Sequence, residues 1–399
     1  MTEIYSLFNT KDFFEKRHLI QINYSLLILC LTLVSIGLIT VAAASMDFAA
    51  NRYQDPWYLV RRQLIYIAVS SISAIIMFAI PTTFWKKYGW LLFFVAIFTL
   101  IIVLIPGIGR RVNGAQRWLQ FGPLSIQVSE IVKLCSILFF ASYLTNSQYF
   151  LQTQWRELLK PILMLVVLMW LLLLEPDFGG AVVLAVTVGA MLFLAGAKLW
   201  QCFLLLVIGT VFLAILILSE NYRLDRLMVF KDPWMFQYSG GYQLTQSLIA
   251  FGRGEWFGLG LGNSIQKMLY LPEAHTDFIF AIFAEEHGFI GVVFLFGLFA
   301  LLIYQIIRIA LKAMRRKDTF ITLAAFGVAV LFSCQILINT SVASGFLPTK
   351  GLTLPFISYG GSSLIVNFLF IALLLRFDYD LDADVIGDSN LTSYGTHNE

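Results

Sequence analysis

Residues 160–196 read KPILMLVVLMWLLLLEPDFGGAVVLAVTVGAMLFLAG, two apolar runs separated only by Glu175, Pro176 and Asp177. Each run is close to the roughly twenty apolar residues that an α-helix needs to cross a bilayer. The proline and the two acids oppose one continuous helix, so they predict a tight hairpin between two membrane spans. This stretch therefore indicates a polytopic membrane protein.

Similar apolar runs recur along the chain. We predict an all-α polytopic membrane protein of about ten transmembrane helices, with a large extracytoplasmic loop between the seventh and the eighth. The predicted spans cover residues 22–45, 62–80, 89–106, 127–145, 160–174, 178–196, 199–218, 277–309, 319–343 and 359–376. The expected organisation is a cytoplasmic tail over 1–21, a transmembrane domain over 22–376 that contains loop 219–276, and a cytoplasmic tail over 377–399, loose from Asp380 onward.

The composition supports this class. Of the 399 residues, 59% are hydrophobic and only 13% are charged, whereas soluble proteins average about a quarter charged residues. So few charges cannot form the polar shell of a soluble domain. The net charge of +3 is small and dispersed and gives no argument for nucleic-acid binding. No CxxC spacing occurs, so we predict neither a disulfide framework nor a zinc site for Cys30, Cys135, Cys202 and Cys334.

A raw count of basic residues does not decide the orientation, since fourteen of the 27 would lie inside and thirteen outside, so the argument rests on compact clusters close to the spans. The compact clusters Lys86-Lys87 and Arg308–Lys317 favour the cytoplasmic side of the membrane. With an even number of spans, both termini are then cytoplasmic. The first apolar run is about twenty residues long, too long for the core of a secretory signal peptide, so we expect an uncleaved first helix.

Two outer segments concentrate polar residues. The connection 107–126 contains Arg110, Arg111, Asn113 and Arg117. Loop 219–276 is long enough to predict a functional role, and its many aromatic residues predict that it folds back onto the membrane surface.

The segment Leu271-Pro272-Glu273-Ala274-His275-Thr276-Asp277 leads directly into an apolar helix. One interpretation is that Thr276 or Asp277 caps that helix. The other is that Asp277 faces an outer cleft, where it takes a proton from a sugar hydroxyl or holds a divalent cation. The two interpretations are compatible.

Glu285, Glu286 and His287 lie inside the same predicted helix. At about 100° per residue, Glu285 and Glu286 cannot both share the face of Asp277. Acids inside a membrane are functional candidates because they are costly there. The alternative is a buried pair with a basic or hydroxyl partner that locks helices together, and the sequence leaves both open.

Three basic residues could contact an anionic substrate: Arg117, Lys133 and Lys350. Lys133 follows Glu130 by three residues, which predicts either an intrahelical ion pair or a cationic wall for a pyrophosphate. Lys350 lies in a loop before the small residues 358–363, which allow close helix packing or close approach of a ligand.

Two further features have simple interpretations. Glu175 and Asp177 either help to build an outer site or are two solvated turn residues. The glycines between Gly258 and Gly262 lack both a preceding strand and a Walker lysine, so we predict no nucleotide site.

Several motifs together resemble the SEDS family of bacterial membrane glycosyltransferases. They are Asn113-Gly114-Ala115-Gln116-Arg117-Trp118 with Glu130 and Lys133, Gly241–Ser247 through Gly252-Arg253-Gly254, Gly260–Ser264, Leu271–Phe280, Leu347–Pro355 and Ser358–Ser363. The similarity covers about residues 20–378. The Thr-Lys-Gly-Leu-Thr loop at 349–353 and Gln266-Lys267 resemble the cell-division branch of the family rather than the elongation branch.

The resemblance implies ten transmembrane helices and septal polymerisation of lipid II into β-1,4-linked glycan strands, with release of undecaprenyl pyrophosphate. It also implies a class B penicillin-binding transpeptidase and other divisome proteins as partners. The family's essential acid corresponds to Asp277, which we expect to act as general base, alone or while holding Mg²⁺ or Mn²⁺. The residues expected to bind substrate are Arg117, Lys133, Gln246, Arg253, His275, Lys350 and Ser358.

Two other functions compete with this one. A lipid II flippase would also need charges inside the membrane. A non-enzymatic divisome scaffold would use Asp277 only as a helix cap.

Overall fold

The computed structural model describes residues 22–112, 115–122, 124–153, 155–218 and 228–395. The expected N-terminal tail 1–21, Asn113 and the loop section 219–227 lie outside the described residues. The helices are α1 Tyr24–Tyr53, α2 Tyr58–Ala79, α3 Thr82–Leu104, α4 Val128–Thr153, α5 Leu159–Leu174, α6 Phe178–Leu194, α7 Leu199–Leu218, α8 Tyr242–Gly254, α9 Ile279–Arg315, α10 Thr319–Ala343 and α11 Gly361–Gly395, with a 3₁₀ helix at Trp155–Leu158.

A helix lies at each of the ten predicted spans, and α8 is an additional helix within the long loop 219–276. Among the described helices, α1, α2, α3, α4, α9 and α10 are long and apolar enough to cross a membrane, and α5 and α6 are shorter apolar helices. The chain is therefore a predominantly helical, multi-pass membrane protein, as predicted. The count of ten crossings stays a prediction.

Short polar side chains determine where several helices begin. The carboxylate of Asp177 accepts a hydrogen bond from the backbone N–H of Gly180 (3.1 Å) and caps α6, and Asp318 caps α10 through the N–H of Ile321 (3.0 Å). Such caps satisfy N–H groups that the helix itself leaves unpaired. With α5 ending at Leu174 and α6 beginning at Phe178, the predicted hairpin is confirmed.

Burial separates the central helices from the peripheral ones. Over the most apolar 18 residues of each helix, 78% of the residues are buried in α4 and 67% in α10, against 22% in α2 and in α3. Since apolar side chains gain nothing by leaving lipid for another helix, the exposed rows on α2 and α3 fit contact with lipid tails.

Helix α9 consists of two parts that meet at Gly288, whose backbone is non-helical (φ 65°, ψ −167°). That φ favours glycine because it has no Cβ. The segment 255–260 crosses the break and replaces the missing helical hydrogen bonds. It pairs Leu259 N–H with Glu285 C=O (3.0 Å), Gly260 N–H with Glu286 C=O (3.0 Å) and Ile290 N–H with Trp256 C=O (3.1 Å). The part before Gly288 is buried, and the part after it has exposed apolar side chains such as Phe289 and Phe294.

The connection 107–126 departs from the all-α fold that the sequence predicted. It contains a three-stranded antiparallel sheet in the order β1 (Gly109–Val112), β2 (Ala115–Phe121) and β3 (Leu124–Gln127). Residues 115–121 read AQRWLQF, without a strict alternation of apolar and polar residues, so the usual sequence signal of a strand is weak here. The sheet is a small addition to an otherwise helical fold.

At the other end of the bundle, α11 also differs from expectation. The predicted span ended at 376 and a loose tail was expected from Asp380, but the helix continues to Gly395. Lys312 at the end of α9 pairs with Asp378 (2.5 Å) and Asp382 (2.8 Å), and Asp380 accepts hydrogen bonds from Thr82. These polar contacts stabilise α11 over residues 378–382, beyond its apolar part.

Candidate active site

Asp277 lies two residues before α9, at the end of the bundle where the α5–α6 turn, the start of α9 and loop 344–360 meet. Its side chain is half-buried. Its backbone carbonyl accepts a hydrogen bond from the amide of Asn339 (3.0 Å), which also donates to the carbonyl of Leu352 (2.5 Å). One buried amide of α10 therefore ties the backbone of Asp277 to loop 344–360.

The capping interpretation of Asp277 is wrong for this helix. The N-cap of α9 is Phe278, and no side chain caps it. The hydroxyl of Thr276 instead donates to the carboxylate of Glu273 (2.8 Å). The carboxylate of Asp277 is consequently not used for helix initiation.

Gly351 lies directly against this carboxylate. A Cβ atom added to Gly351 would stand 2.8 Å from Oδ2 of Asp277, closer than real Cβ contacts come. The loop can approach the acid because residue 351 has no side chain. Gly351 lies in the same sequence motif as the predicted Lys350, but no role could be predicted for it, since only the tertiary contact reveals one.

Arg117 brings positive charge to the same place. From β2 its guanidinium donates to the backbone carbonyls of Glu175 (2.9 Å) and Pro176 (2.5 Å) in the α5–α6 turn. These carbonyls hold the cation without neutralising it. Its charge is near enough to Asp277 to lower the pKa of that acid.

The net effect on Asp277 is nevertheless upward. Burial raises the pKa of its carboxyl from the ordinary 3.8 to about 7, and the negative charge of Glu273 adds to the rise, while Arg117 opposes it. Burial dominates because an ionised carboxylate loses solvation there. An acid with a pKa near neutrality can both accept and release a proton at physiological pH.

Lys350 provides a second cation on the α5–α6 turn. Its ammonium lies 3.8 Å from the ring centroid of Phe178, the first residue of α6, an arrangement that attracts a cation to an aromatic face. The next residues of the loop hold it there: Leu352 packs on Gly179, whose added Cβ would lie 3.3 Å from its side chain.

His275 and Ser358 support the backbone around the acid. The hydroxyl of Ser358 donates to the carbonyl of Thr276 (2.7 Å) and accepts from the N–H of Leu354 (2.8 Å). The carbonyl of His275 accepts from the N–H of Tyr359 (2.9 Å). Burial lowers the pKa of the His275 imidazole, opposed by the charge of Glu273. Both residues are near the site, and their substrate contacts stay predictions.

The other predicted binding residues lie in different surroundings. Lys133 is buried and forms an ion pair with buried Glu130 (2.7 Å), the intrahelical pair that the spacing suggested. Gln246 is half-buried on α8, beside Ser247, whose hydroxyl donates to the carbonyl of Ala343 (2.6 Å). For Lys133 and Gln246, a role in binding substrate stays a prediction.

Arg253 lies away from Asp277, in a cluster of charged and polar residues around Glu285 at the break in α9. Its Nε lies 3.2 Å from the Glu285 carboxylate, which also accepts from the hydroxyl of Ser264 (2.5 Å). Lys267 pairs with Glu286 at 3.7 Å. Of the two interpretations that the sequence left open for these acids, the structure supports the one in which buried partners lock segments together.

The two turn acids are also not solvated, contrary to one interpretation of the hairpin. Glu175 is 0% exposed and Asp177 5% exposed. Arg117 of β2 donates to the carbonyls of this turn, and Leu352 of loop 344–360 packs on Gly179, so segments distant in sequence cover the two acids. Among the described residues, no group of three or more His, Cys, Asp or Glu side chains is placed to hold a metal ion.

Known proteins with similar sequences point to one family. The family model for cell cycle proteins named FTSW_RODA_SPOVE matches residues 24–382. A "Probable peptidoglycan glycosyltransferase FtsW" of Saccharophagus degradans is 49% identical over 91% of this chain and 94% of that protein. One of the same description from Coxiella burnetii is 48% identical over 92% of this chain and 100% of the relative.

Solved structures agree with this result. A chain from work described as "Structural coordination of polymerization and crosslinking by a peptidoglycan synthase complex" aligns with a TM-score of 0.72 at 28% identity, over 90% of this chain and 98% of the other. The rod shape determining protein RodA of Thermus thermophilus aligns with a TM-score of 0.68 at 26% identity, over 90% of this chain and 97% of the other. The chain therefore belongs to the FtsW/RodA/SpoVE family of cell cycle proteins.

Proposed function

We propose that this peptidoglycan glycosyltransferase polymerises lipid II with Asp277 as its general base. The observation that carries the proposal is the meeting of Asp277, Arg117 and the loop of Lys350 and Gly351 at one end of the helix bundle. These groups come from separate elements, and together they provide a base beside fixed positive charge. Glycosyl transfer from a lipid diphosphate needs both.

The base acts on the acceptor sugar. Asp277 removes the proton from the GlcNAc 4-hydroxyl, whose oxygen forms a bond to C1 of the donor MurNAc. The bond between C1 and the diphosphate oxygen breaks at the same centre, which inverts to the β configuration. The proton on Asp277 then passes to water. A carboxylate with a pKa near 7 suits this cycle because it is ionised often enough to accept a proton and releases it readily.

The cations act on the leaving group. Undecaprenyl pyrophosphate gains negative charge as the C1–oxygen bond breaks, and fixed cations stabilise that charge where it develops. The contacts of Arg117 with the Pro176 carbonyl and of Lys350 with the Phe178 ring support this role for both residues. Arg253 and Lys133 are engaged with acids of their own, so we assign them a smaller part.

A divalent cation stays a proposal. The described residues do not form a protein cage for a metal, whereas Mg²⁺ is commonly held by one or two carboxylates together with substrate phosphates. Asp277 would supply the protein ligand in such a site, and the ion would add positive charge at the diphosphate.

We further propose a class B penicillin-binding transpeptidase and other divisome proteins as partners, and the division septum of the bacterial inner membrane as the location, with both termini cytoplasmic. Relatives named FtsW and a structural neighbour from a synthase complex that couples polymerization to crosslinking support this assignment. The sequence supports the orientation through its basic clusters.

The test is polymerisation of purified lipid II by the full-length chain, with and without the transpeptidase. We expect glycan strands from the wild type, and a loss of roughly 100- to 10,000-fold in Asp277→Asn, the range that a general base contributes. Asp232→Asn is the matched control, because Asp232 is an exposed acid in the same long loop. Transport of lipid II in liposomes without polymer would favour a flippase, and wild-type polymerisation by Asp277→Asn would remove the mechanism.

A further inference from the structure

Glu175 is an enclosed acid that the proposed mechanism does not use. It terminates α5, its side chain is 0% exposed, and neither carboxyl oxygen has a hydrogen-bond partner among the described residues. Buried polar groups are nearly always hydrogen-bonded, so an orphaned carboxyl beside a reaction site needs an explanation.

The charged groups that act on Glu175 are Asp177 and Arg117, and the ammonium of Lys350 lies on the ring of Phe178 at the end of the same turn. Asp177 already caps α6 by accepting from the N–H of Gly180. Arg117 donates to the backbone carbonyls of Glu175 and Pro176 and makes no salt bridge with the Glu175 carboxyl within the described part of the chain. The turn therefore binds the Arg117 guanidinium through two backbone carbonyl dipoles, and the Glu175 carboxyl does not pair with it.

An ionised carboxylate in such a place would be expensive, because burial removes its water and no donor replaces it. Burial raises the pKa of Glu175 to about 9, the charge of Asp177 adds to the rise, and Arg117 opposes it. The neutral acid is thus the form present at physiological pH.

We propose that Glu175 is kept as a neutral carboxylic acid so that Arg117 stays uncompensated toward the substrate diphosphate, and that ionisation of Glu175 in alkaline solution turns polymerisation off. Glu175 is then a positioning residue that acts through Arg117. The inference rests on the proposed function, since Arg117 matters here only if an anionic substrate occupies the site.

The first test compares pH profiles of lipid II polymerisation for the wild type and Glu175→Gln, a neutral side chain of the same shape. We expect equal rates, within about twofold, at neutral pH. Wild-type activity should fall above about pH 9, and Glu175→Gln should keep its activity. One pH unit above that value, the variant should be roughly tenfold faster, as for a single titrating group. Groups on the substrate titrate equally in both reactions.

Asp177→Asn serves as the matched control: it removes the other acid of the turn and should keep the alkaline fall, shifted to lower pH because the charge of Asp177 raises the pKa of Glu175. A Glu175→Gln enzyme that falls like the wild type overturns the proposal, as does a folded variant that is tenfold slower at neutral pH. If Glu175→Gln does not fold, Glu175→Met provides a second neutral side chain of similar length.

The second test does not depend on activity. In infrared spectra at about pH 8, the wild-type chain should show the carbonyl band of a protonated carboxylic acid that Glu175→Gln lacks. In the wild type, that band should vanish as the pH rises through about 9. No difference between the two spectra would overturn the inference. Failure of the wild type to polymerise at any pH would instead count against the proposed function.

Discussion

The acid before α9 and the acid within it have opposite surroundings. Glu285 is 0% exposed and is surrounded by donors: Ser264 Oγ (2.5 Å), the N–H of Ile265 (3.2 Å), the N–H of Gln266 (3.3 Å) and Arg253 (3.2 Å). Asp277 is half-buried, and its carboxylate lies against Gly351, with Arg117 acting on it through charge.

The difference suits the two carboxylates, one before the helix and one within it, to the different purposes that we propose for them. A carboxylate whose lone pairs are all engaged holds segments together and has little capacity left for a substrate proton. A carboxylate that is desolvated but not saturated has a raised pKa and can exchange protons. The position of the donors, rather than the type of residue, separates a structural acid from a reactive one.

The largest expected contrast is between Asp277→Asn and Glu285→Gln. Asp277→Asn should remove nearly all polymerisation with little loss of thermal stability. Glu285→Gln should lower the free energy of unfolding by about 1–3 kcal/mol, because it breaks charged hydrogen bonds, and the folded protein should keep most of its activity. Polymerisation rates and thermal unfolding of both variants in the same detergent would check this. Equal activity losses would erase the distinction between the two acids.

A smaller effect is expected from Gly351→Ala. The new methyl group would overlap the Asp277 carboxylate and displace it. A misplacement of about 1 Å at a reacting group costs up to roughly 100-fold in rate, so we expect a 10- to 100-fold fall in polymerisation. Gly189→Ala in α6 is the matched control, because an added Cβ there meets nothing within 4 Å. Unchanged activity in Gly351→Ala would argue that the carboxylate is not held by this contact.

The smallest effect concerns pH. Since Asp277 must be ionised to act, the rate should rise up to tenfold per pH unit below about 7 and level off above it.

The free energy of unfolding should change with pH in the opposite direction to the rate. The folded state binds the proton of Asp277 more tightly than the unfolded state, whose pKa is 3.8. The stability that this proton contributes is fully present below pH 3.8 and is lost as the pH rises through about 7. We therefore expect Asp277→Asn to be more thermostable than the wild type above pH 7, with the gap closing near pH 4. A constant gap across this range would contradict the raised pKa.

Much of the helical layout could be predicted from the sequence. The hairpin around Pro176 and the positions of the apolar helices follow from local composition, because a bilayer excludes charge from each span separately. The segment that contains Asp277 could also be predicted, since a charged cluster directly before an apolar helix is visible without the fold.

Other features depend on contacts between distant segments. Asn339, Gly351 and the carbonyls that bind Arg117 join the site only because loops far apart in sequence meet there. The burial of Glu175 has the same origin, and the sequence left open whether this acid is a solvated turn residue or part of a site.

The sequence alone determined the class of protein, the apolar helices and the acid expected to react, because hydropathy and short motifs are local properties of the chain. Only the tertiary structure decided which charges stay available. Glu285 is saturated by Arg253 and Ser264, while Asp277 is left beside Arg117 with its carboxylate open. Desolvation and hydrogen bonding set the reactivity of an acid, and both depend on which segments pack around it.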